Sequence, residues 1–449
     1  MWSERSADWL EPGWVGVEVM GNILLARLRL TGMTSPSPAG PASGHPVPVL
    51  PPLDSDVATL TAALLDIPSV SDHETLLADA VEAALRSLPR LEIHRIGDSV
   101  VARTDWGRPA RVVLAGHLDT VPLPTTPGAR GTVPSSWDAS VGAGTLPSGL
   151  ETSGTGPAKP ADTDVLYGRG ATDMKSGVAV QLALAGWIGH DAGPLPAHDV
   201  TWVFYDHEEV GSEHSGLARV AREAPELVQA DFAVLLEPTD GVVEGGCNGT
   251  NRYVVTVPGV AAHSGRAWKG ENAIHAAGPL LAALAAYRPA TITVEGLDYR
   301  EGLNAVRIHG GTAGNVIPDT CAVEINYRFA PDKDLEQAHA HVYAVLAEAG
   351  IGRERVEIVD ESPSARPGLD RPAAAAFVAA VGGTPMPKYG WTDVARFSEL
   401  GVPAVNFGPG NALLAHTDDE HVTAGAIRDC LAALRRWLVP DAGPASASS

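Results

Sequence analysis

Histidines and carboxylates recur along this chain in short segments whose side-chain types suit the binding of metal ions. The segments are Gly116-His117-Leu118-Asp119-Thr120, Gly168-Arg169-Gly170-Ala171-Thr172-Asp173-Met174-Lys175, the pair Glu208-Glu209, Glu237-Pro238, and the stretch from Gly408 to His416. Imidazole and carboxylate suit zinc and related divalent ions. Two histidines and three carboxylates would hold two ions if one carboxylate were shared, and Asp173 is the natural bridge. One member of the Glu208-Glu209 pair is then left beside the ions without ligating them, as a general base requires. Asp119, two residues from His117, faces the same side of extended chain and is placed to accept the other ring N–H of that histidine. Taken singly, each of these residues has a blander reading: a lone histidine near a strand end is more often structural, and a Glu pair is usually a solvated loop. Their joint arrangement is what points to chemistry.

Competing motifs fail on inspection. Gly168-Arg169-Gly170 is one glycine short of a dinucleotide fingerprint, and no phosphate-binding loop occurs. His207-Glu208-Glu209 is not HExxH, since Gly211 stands where the second histidine would be. His263-Ser264 lacks the surroundings of a nucleophilic serine. His94, His190 and His275 read as surface or packing residues.

The elements that must position these residues are legible as alternating strands and helices. Apolar spacing predicts helices through Val57, Leu60, Leu64 and Leu65 and through Leu76, Leu77, Val81 and Leu85. Short apolar runs at Arg111–Ala115, Val200–Tyr205 and Phe232–Leu236 predict buried strands, with helices over Val178–Ile188 and Gly216–Val228 between them. The metal-type residues sit just beyond those strands, on the edge where open α/β sheets bind ligands. The middle of the chain changes character: Arg252–Val257 and Ala322–Phe329 alternate like half-exposed antiparallel strands, with helical stretches at Ala273–Ala286 and Leu335–Ala349. The buried style returns with helix Pro372–Val381, strand Val402–Phe407 and helix Ala424–Leu438. This order predicts a small α+β domain, residues 247–363, inserted in a larger α/β domain formed by 54–246 and 364–440. Pro-, Ser- and Gly-rich composition predicts a disordered N-terminal extension (1–53), a loop insertion at 124–163 and a frayed tail from 441 to 449. Met33, just before the low-complexity stretch, is the expected physiological start.

Composition narrows the partners. The chain carries 32 basic and 54 acidic residues, a formal charge of −22, which argues against nucleic acid or an anionic membrane as partner. Three scattered cysteines, Cys247, Cys321 and Cys430, suit a reducing cytoplasm with buried thiols. No apolar run approaches the ~20 residues needed to span a bilayer.

The five metal-type segments, in their order, resemble the aminoacylase/carboxypeptidase family of di-zinc hydrolases over about Asp54 to Leu438. Within that family, Ala262–His275, Gly311–Asp319 and Asn326–Pro331 most resemble the branch that removes succinyl groups from an amino group. The resemblance implies a mixed-sheet di-zinc exopeptidase-like catalytic domain carrying an inserted ferredoxin-like α+β dimerisation or lid domain. It implies that Asp173 bridges two divalent ions, zinc with cobalt as the alternative. His117 and Glu237 would complete one site, and Glu209 and His416 the other. Glu208 would be the general base, with Asp119 orienting His117. His263 would stabilise the oxyanion, entering the active site of the partner subunit in a homodimer, while Asn315 and Arg328 would hold the substrate. By position, Arg266 is a further candidate anion contact. The substrate would be a small N-acyl amino acid. The nearest alternatives are an acetylornithine-type, other N-acyl amino acid or dipeptide hydrolase. A metal-binding regulatory protein without catalysis is an alternative of another class.

Overall fold

Three apolar runs expected to be strands, Arg111–His117, Asp199–Tyr205 and Phe232–Leu235, lie side by side and parallel at the centre of an eight-stranded sheet. The computed structural model describes residues 46–138 and 159–440. Most of the expected N-terminal extension with its Met33 start, the centre of the expected insertion and the tail from 441 lie outside the described residues. The parallel strand Ala404–Asn406 joins beside Phe232–Leu235. The hairpin Glu92–Ile96 and Ser99–Arg103 extends the other side antiparallel, so the sheet is mixed.

Both faces of this sheet are covered, which is why its strands read as near-continuous apolar runs. Val112, Leu114, Trp202 and Phe204 point into one core with the helices Val57–Leu65, Thr75–Arg86, Lys175–Gly189 and Ala424–Leu438. Val113, Ala115, Val203 and Tyr205 point into the other, with helices Gly216–Glu223 and Val394–Glu399. In Lys175–Gly189 every residue but Trp187 is buried, as expected of a helix that is apolar all round.

That helix begins earlier than expected and runs through Gly177. A Cβ at this position would lie 2.3 Å from the Leu236 carbonyl oxygen, so glycine permits the close approach of helix to sheet. The expected helix Gly216–Val228 stops at Glu223, and Pro225–Leu227 forms a separate 3₁₀ turn, because proline removes a donor and restricts the residue before it. Likewise Ala273–Ala286 is two helices, Ala273–Ala276 and Gly278–Ala286, split at the Gly278-Pro279 pair. At the N-terminal end, order begins within the segment expected to be disordered. Val47 and Leu50 pack on the core, and Leu53 is buried against Gly186. Part of the expected insertion is also regular: Ser136–Asp138 pairs with Val165–Tyr167, which pairs with His421–Thr423.

Residues 249–362 build a second sheet of four antiparallel strands in the order Gly302–Gly310, Thr320–Phe329, Gly249–Pro258, Val356–Ser362. The chain order is β-α-β-β-α-β, with helices Gly278–Ala286 and Leu335–Glu348 packed on one face. One face is covered and the other is partly open, so burial alternates along the two central strands. The chain crosses between the two sheets twice, and the crossings pair through reciprocal backbone hydrogen bonds of Cys247 and Ala365, 3.0 and 3.1 Å. Among the described residues, no helix is long and apolar enough to cross a membrane.

Candidate metal centre and active site

The parallel strands deliver the expected residues to one edge of the large sheet. His117 ends its strand, Glu208 and Glu209 follow Asp199–Tyr205, Glu237 lies two residues beyond Leu235, and His416 follows Ala404–Asn406 in a loop. Asp173 reaches the same place from the turn before helix Lys175–Gly189.

There it stands between the two histidines. His117 Nε2 is 3.1 Å from Asp173 Oδ1 and 4.0 Å from Glu237 Oε1. His416 Nε2 is 3.4 Å from Asp173 Oδ2 and 3.0 Å from Glu209 Oε1. His117, Asp173 and Glu237 form one group of donor atoms lying within 4.8 Å of one another, and Asp173, Glu209 and His416 form a second. A third group, His117 with Glu208 and Glu209, meets the same limit, so distance alone does not set Glu208 apart. Its carboxylate makes no hydrogen bond to either histidine, whereas Glu209 pairs with His416.

The loop geometry explains why adjacent glutamates take different places. Asp119 accepts the backbone N–H of Glu208 at Oδ1 and that of Glu209 at Oδ2, both at 3.0 Å. His117 Nδ1 lies 3.0 Å from the Asp119 carbonyl oxygen and 3.5 Å from its carboxylate. Asp119 thus orients His117 chiefly through its backbone, and its carboxylate fixes the turn that carries both glutamates.

Charge is badly out of balance in this pocket. Burial pushes Glu237 up to about 7, with Asp173 adding to the effect. Burial also holds Glu208 well above the usual carboxylate range, His117 opposing and Glu209 and Glu237 reinforcing. Hydrogen bonds to Asp173 and Glu209 pull His416 up to about 10. Glu237 Oε1 is buried with no hydrogen-bond partner among the described residues. Buried carboxylates raised this way lack positive charge, and two divalent cations would supply it through a donor set they favour. The residues present fit such a pair.

Several residues of the site were not singled out from sequence. Glu420 is fully buried and accepts the backbone N–H of Thr172 and Asp173, both at 3.0 Å, and the Arg169 guanidinium at 2.7 Å. It anchors the turn that presents Asp173. Lys388 pairs with Glu244 at 2.9 Å and faces Glu237. Asp393, also buried, lines the cleft near Glu208 and bonds Arg396 at 2.6 Å. Lys388 and Asp393 stand in loops without a spacing signal, and Glu420 ends an acidic run, Asp418-Asp419-Glu420, that reads as solvated loop.

The cleft over these groups holds about 620 Å³ and reaches the second sheet through Thr250, Ser362 and Arg328. Arg328 makes no ion pair among the described residues. His263, Asn315 and Arg266 do not line this cleft. They lie in exposed segments around a separate two-stranded ribbon, where His263 pairs with Val316 and the Ser264 N–H donates to the Asn315 carbonyl at 2.8 Å.

An imidazole–carboxylate pocket of this kind at the carboxyl edge of a mixed sheet is that of a metal-dependent hydrolase. The chain belongs to the peptidase family M20/M25/M40, which it matches over residues 113–439. It is similar to DapE of Mycobacterium tuberculosis, provisionally named a succinyl-diaminopimelate desuccinylase, with 48% identity over 387 residues, 86% of this chain and 99% of the relative. It is 40% identical over 386 residues to the succinyl-diaminopimelate desuccinylase of Corynebacterium glutamicum, covering 85% of this chain and 96% of that protein. Among solved structures it resembles a tripeptidase of Staphylococcus aureus, TM-score 0.64 at 17% identity over 86% of this chain and 97% of that one. It also resembles the YXEP protein of Bacillus subtilis, described as a dinuclear metal binding peptidase, TM-score 0.57 at 17% identity over 85% of this chain and 98% of that one.

Proposed function

We propose that this protein is a two-metal amide hydrolase that converts N-succinyl-LL-2,6-diaminopimelate and water to succinate and LL-2,6-diaminopimelate, a step of lysine and diaminopimelate synthesis. The observation that carries the chemistry is the pair of donor groups sharing Asp173, with Glu208 beside them. The choice of substrate is supported by the two desuccinylase relatives, matched over nearly their whole lengths.

In this reading His117, Asp173 and Glu237 hold one ion and Asp173, Glu209 and His416 the other. The ions are zinc, with cobalt as a working substitute, since both accept imidazole and carboxylate. When bound, such ions lower the pKa of water towards ~7 and polarise an amide carbonyl. Glu208 takes the proton of the attacking water and passes it to the leaving amine. Its carboxylate pairs with neither histidine, which leaves it free for that role. Arg328, which faces the cleft and forms no ion pair among the described residues, pairs with a substrate carboxylate, whose geometry the guanidinium fork matches.

Residues 54–246 and 364–440 serve as the catalytic domain and 247–363 as a lid and dimerisation domain. Closure about the paired crossings at Cys247 and Ala365 would bring Arg328 onto the substrate and exclude water. His263, Asn315 and Arg266 lie outside the chain's own cleft, and we read them as serving the cleft of a second copy, His263 as oxyanion donor. An edge for that copy is available. Among the described residues, strand Gly302–Gly310 has one side unpaired, and its Val306 and Ile308 are 56% and 46% exposed. Three buried free thiols and the acidic charge fit a cytoplasmic enzyme.

Incubating the zinc-loaded protein with N-succinyl-LL-2,6-diaminopimelate and assaying succinate tests the reading. Turnover faster than that of acetylornithine, followed by its acetate release, is expected. Preference for the acetyl substrate, or no turnover with either ion, would overturn it.

A further inference from the structure

The turn between helices Val57–Leu65 and Thr75–Arg86 has no part in the chemistry above, yet it grips the turn that bears Glu208 at three points. Ser71 Oγ donates to Asp119 Oδ2 at 2.8 Å, on the carboxylate that also takes the N–H groups of Glu208 and Glu209. Asp72 Oδ1 lies 3.0 Å from His207 Nε2. Glu74, only 1% exposed, accepts the His207 backbone N–H at 3.3 Å and stands 3.3 Å from His207 Nδ1. A backbone bond from Ser71 N–H to the Thr120 carbonyl, 3.2 Å, ties this turn to the segment after His117.

His207 is thus bracketed from both sides. Its Nδ1 is 2.7 Å from Asp206 Oδ2, and Asp206 is itself held by Ser99 Oγ at 2.6 Å and by Arg219. Both His207 and Asp72 adopt left-handed backbone, with φ of 58° and 73°. Non-glycine residues keep such a conformation only where their surroundings over-determine it, and here the two strained residues hold each other.

The Glu208 carboxylate makes no hydrogen bond among the described residues, so its aim depends on its backbone. That backbone has two anchors: Asp119, which takes its own N–H, and His207 one residue before it.

We propose that His207, gripped by Asp72 and Glu74, is a positioning residue for Glu208, fixing the turn from which the base reaches the substrate. The inference rests on the reading of Glu208 as general base. His207 borders the cleft, but its two ring nitrogens face Asp206, Glu74 and Asp72 and are not offered to substrate, which Arg328 holds from the other wall. Loosening the grip therefore lowers kcat and leaves KM in place.

The test compares His207→Gly, Asp72→Gly and Asp72→Asn with the parent enzyme and with Glu208→Gln. Glycine suits both left-handed positions, so side-chain loss is read without added backbone strain. Partners behind a metal site are typically worth ~10–100-fold, and a loss of that order in kcat is expected for His207→Gly, with KM within about twofold. Asp72→Gly, at an exposed position where folding is not at stake, should show the same pattern more weakly. Asp72→Asn, which still offers an acceptor to His207 Nε2, should restore most of the rate. Hydrogen exchange at the Glu208 and Glu209 amides should speed up in both glycine variants. Unchanged kcat and exchange in Asp72→Gly and His207→Gly, or a loss confined to KM, would overturn the proposal. Retained turnover in Glu208→Gln would instead bring down the base assignment beneath it.

Discussion

The two sheets of this protein treat their functional residues in opposite ways. The large sheet is buried on both faces, and everything chemical lies beyond its strand ends, where His117, Glu209, Glu237 and His416 converge on Asp173. The small sheet is covered on one face and carries Arg328 on its open side, in the cleft, while His263, Asn315 and Arg266 lie around a separate two-stranded ribbon away from it. A single cleft therefore gathers both proposed metal groups, while the proposed substrate contacts are split between that cleft and exposed segments outside it.

Substitutions on the two sides should fail differently. Glu208→Gln keeps the shape of the pocket and removes the base. A fall in kcat of roughly 10²–10⁴-fold is expected, with metal content unchanged by elemental analysis. His263→Ala, in the small domain, should cost roughly 10²–10³-fold in kcat through the lost proposed oxyanion contact. Mixing it with Glu208→Gln should recover activity if the two clefts exchange residues, and no recovery in mixed dimers would break that half of the comparison. Arg328→Ala should raise KM for the succinyl substrate, with a loss in kcat/KM of roughly 10–100-fold, as expected of a charge-assisted bond of about 1.5–3 kcal/mol. Its effect on a substrate lacking that carboxylate should be small.

Stability should divide along the same line. Gly177→Ala forces a Cβ to 2.3 Å from the Leu236 carbonyl, and overpacking of this kind costs about 1–3 kcal/mol. Thermal unfolding should shift down, and because Gly177 lies four residues from Asp173, metal affinity should fall with it. Asp334→Ala removes the capping box that starts helix Leu335–Glu348 in the small domain, worth roughly 0.5–2 kcal/mol. It should lower stability while leaving metal binding untouched.

What could be read from sequence follows the same contrast. The central strands of the large sheet were plain because burial on both faces makes them short unbroken apolar runs. The metal-type residues were plain because each follows such a run. The outer strands of the small sheet, Gly302–Gly310 and Val356–Ser362, were not legible, since exposed edge strands carry polar residues without clean alternation. Helix ends were misplaced where glycine serves packing rather than termination, as at Gly177, and where proline splits one helix into two, as at Pro225 and Pro279. Glu420 and the grip of Asp72 and Glu74 on His207 gave no signal, because each acts on a turn that lies distant in the chain. The double duty of Asp119 was half visible: its nearness to His117 lay in the spacing, its grip on the Glu208 and Glu209 amides only in the fold.

The central claim is that one carboxylate, Asp173, is shared by two separate donor groups. Ion stoichiometry tests it most directly. The parent protein should bind two zinc ions per chain, the Asp173–Glu209–His416 and His117–Asp173–Glu237 groups each taking one. His416→Ala should retain one tight ion and lose the other. A single ion in the parent protein, or two ions held as tightly in His416→Ala, would contradict the account.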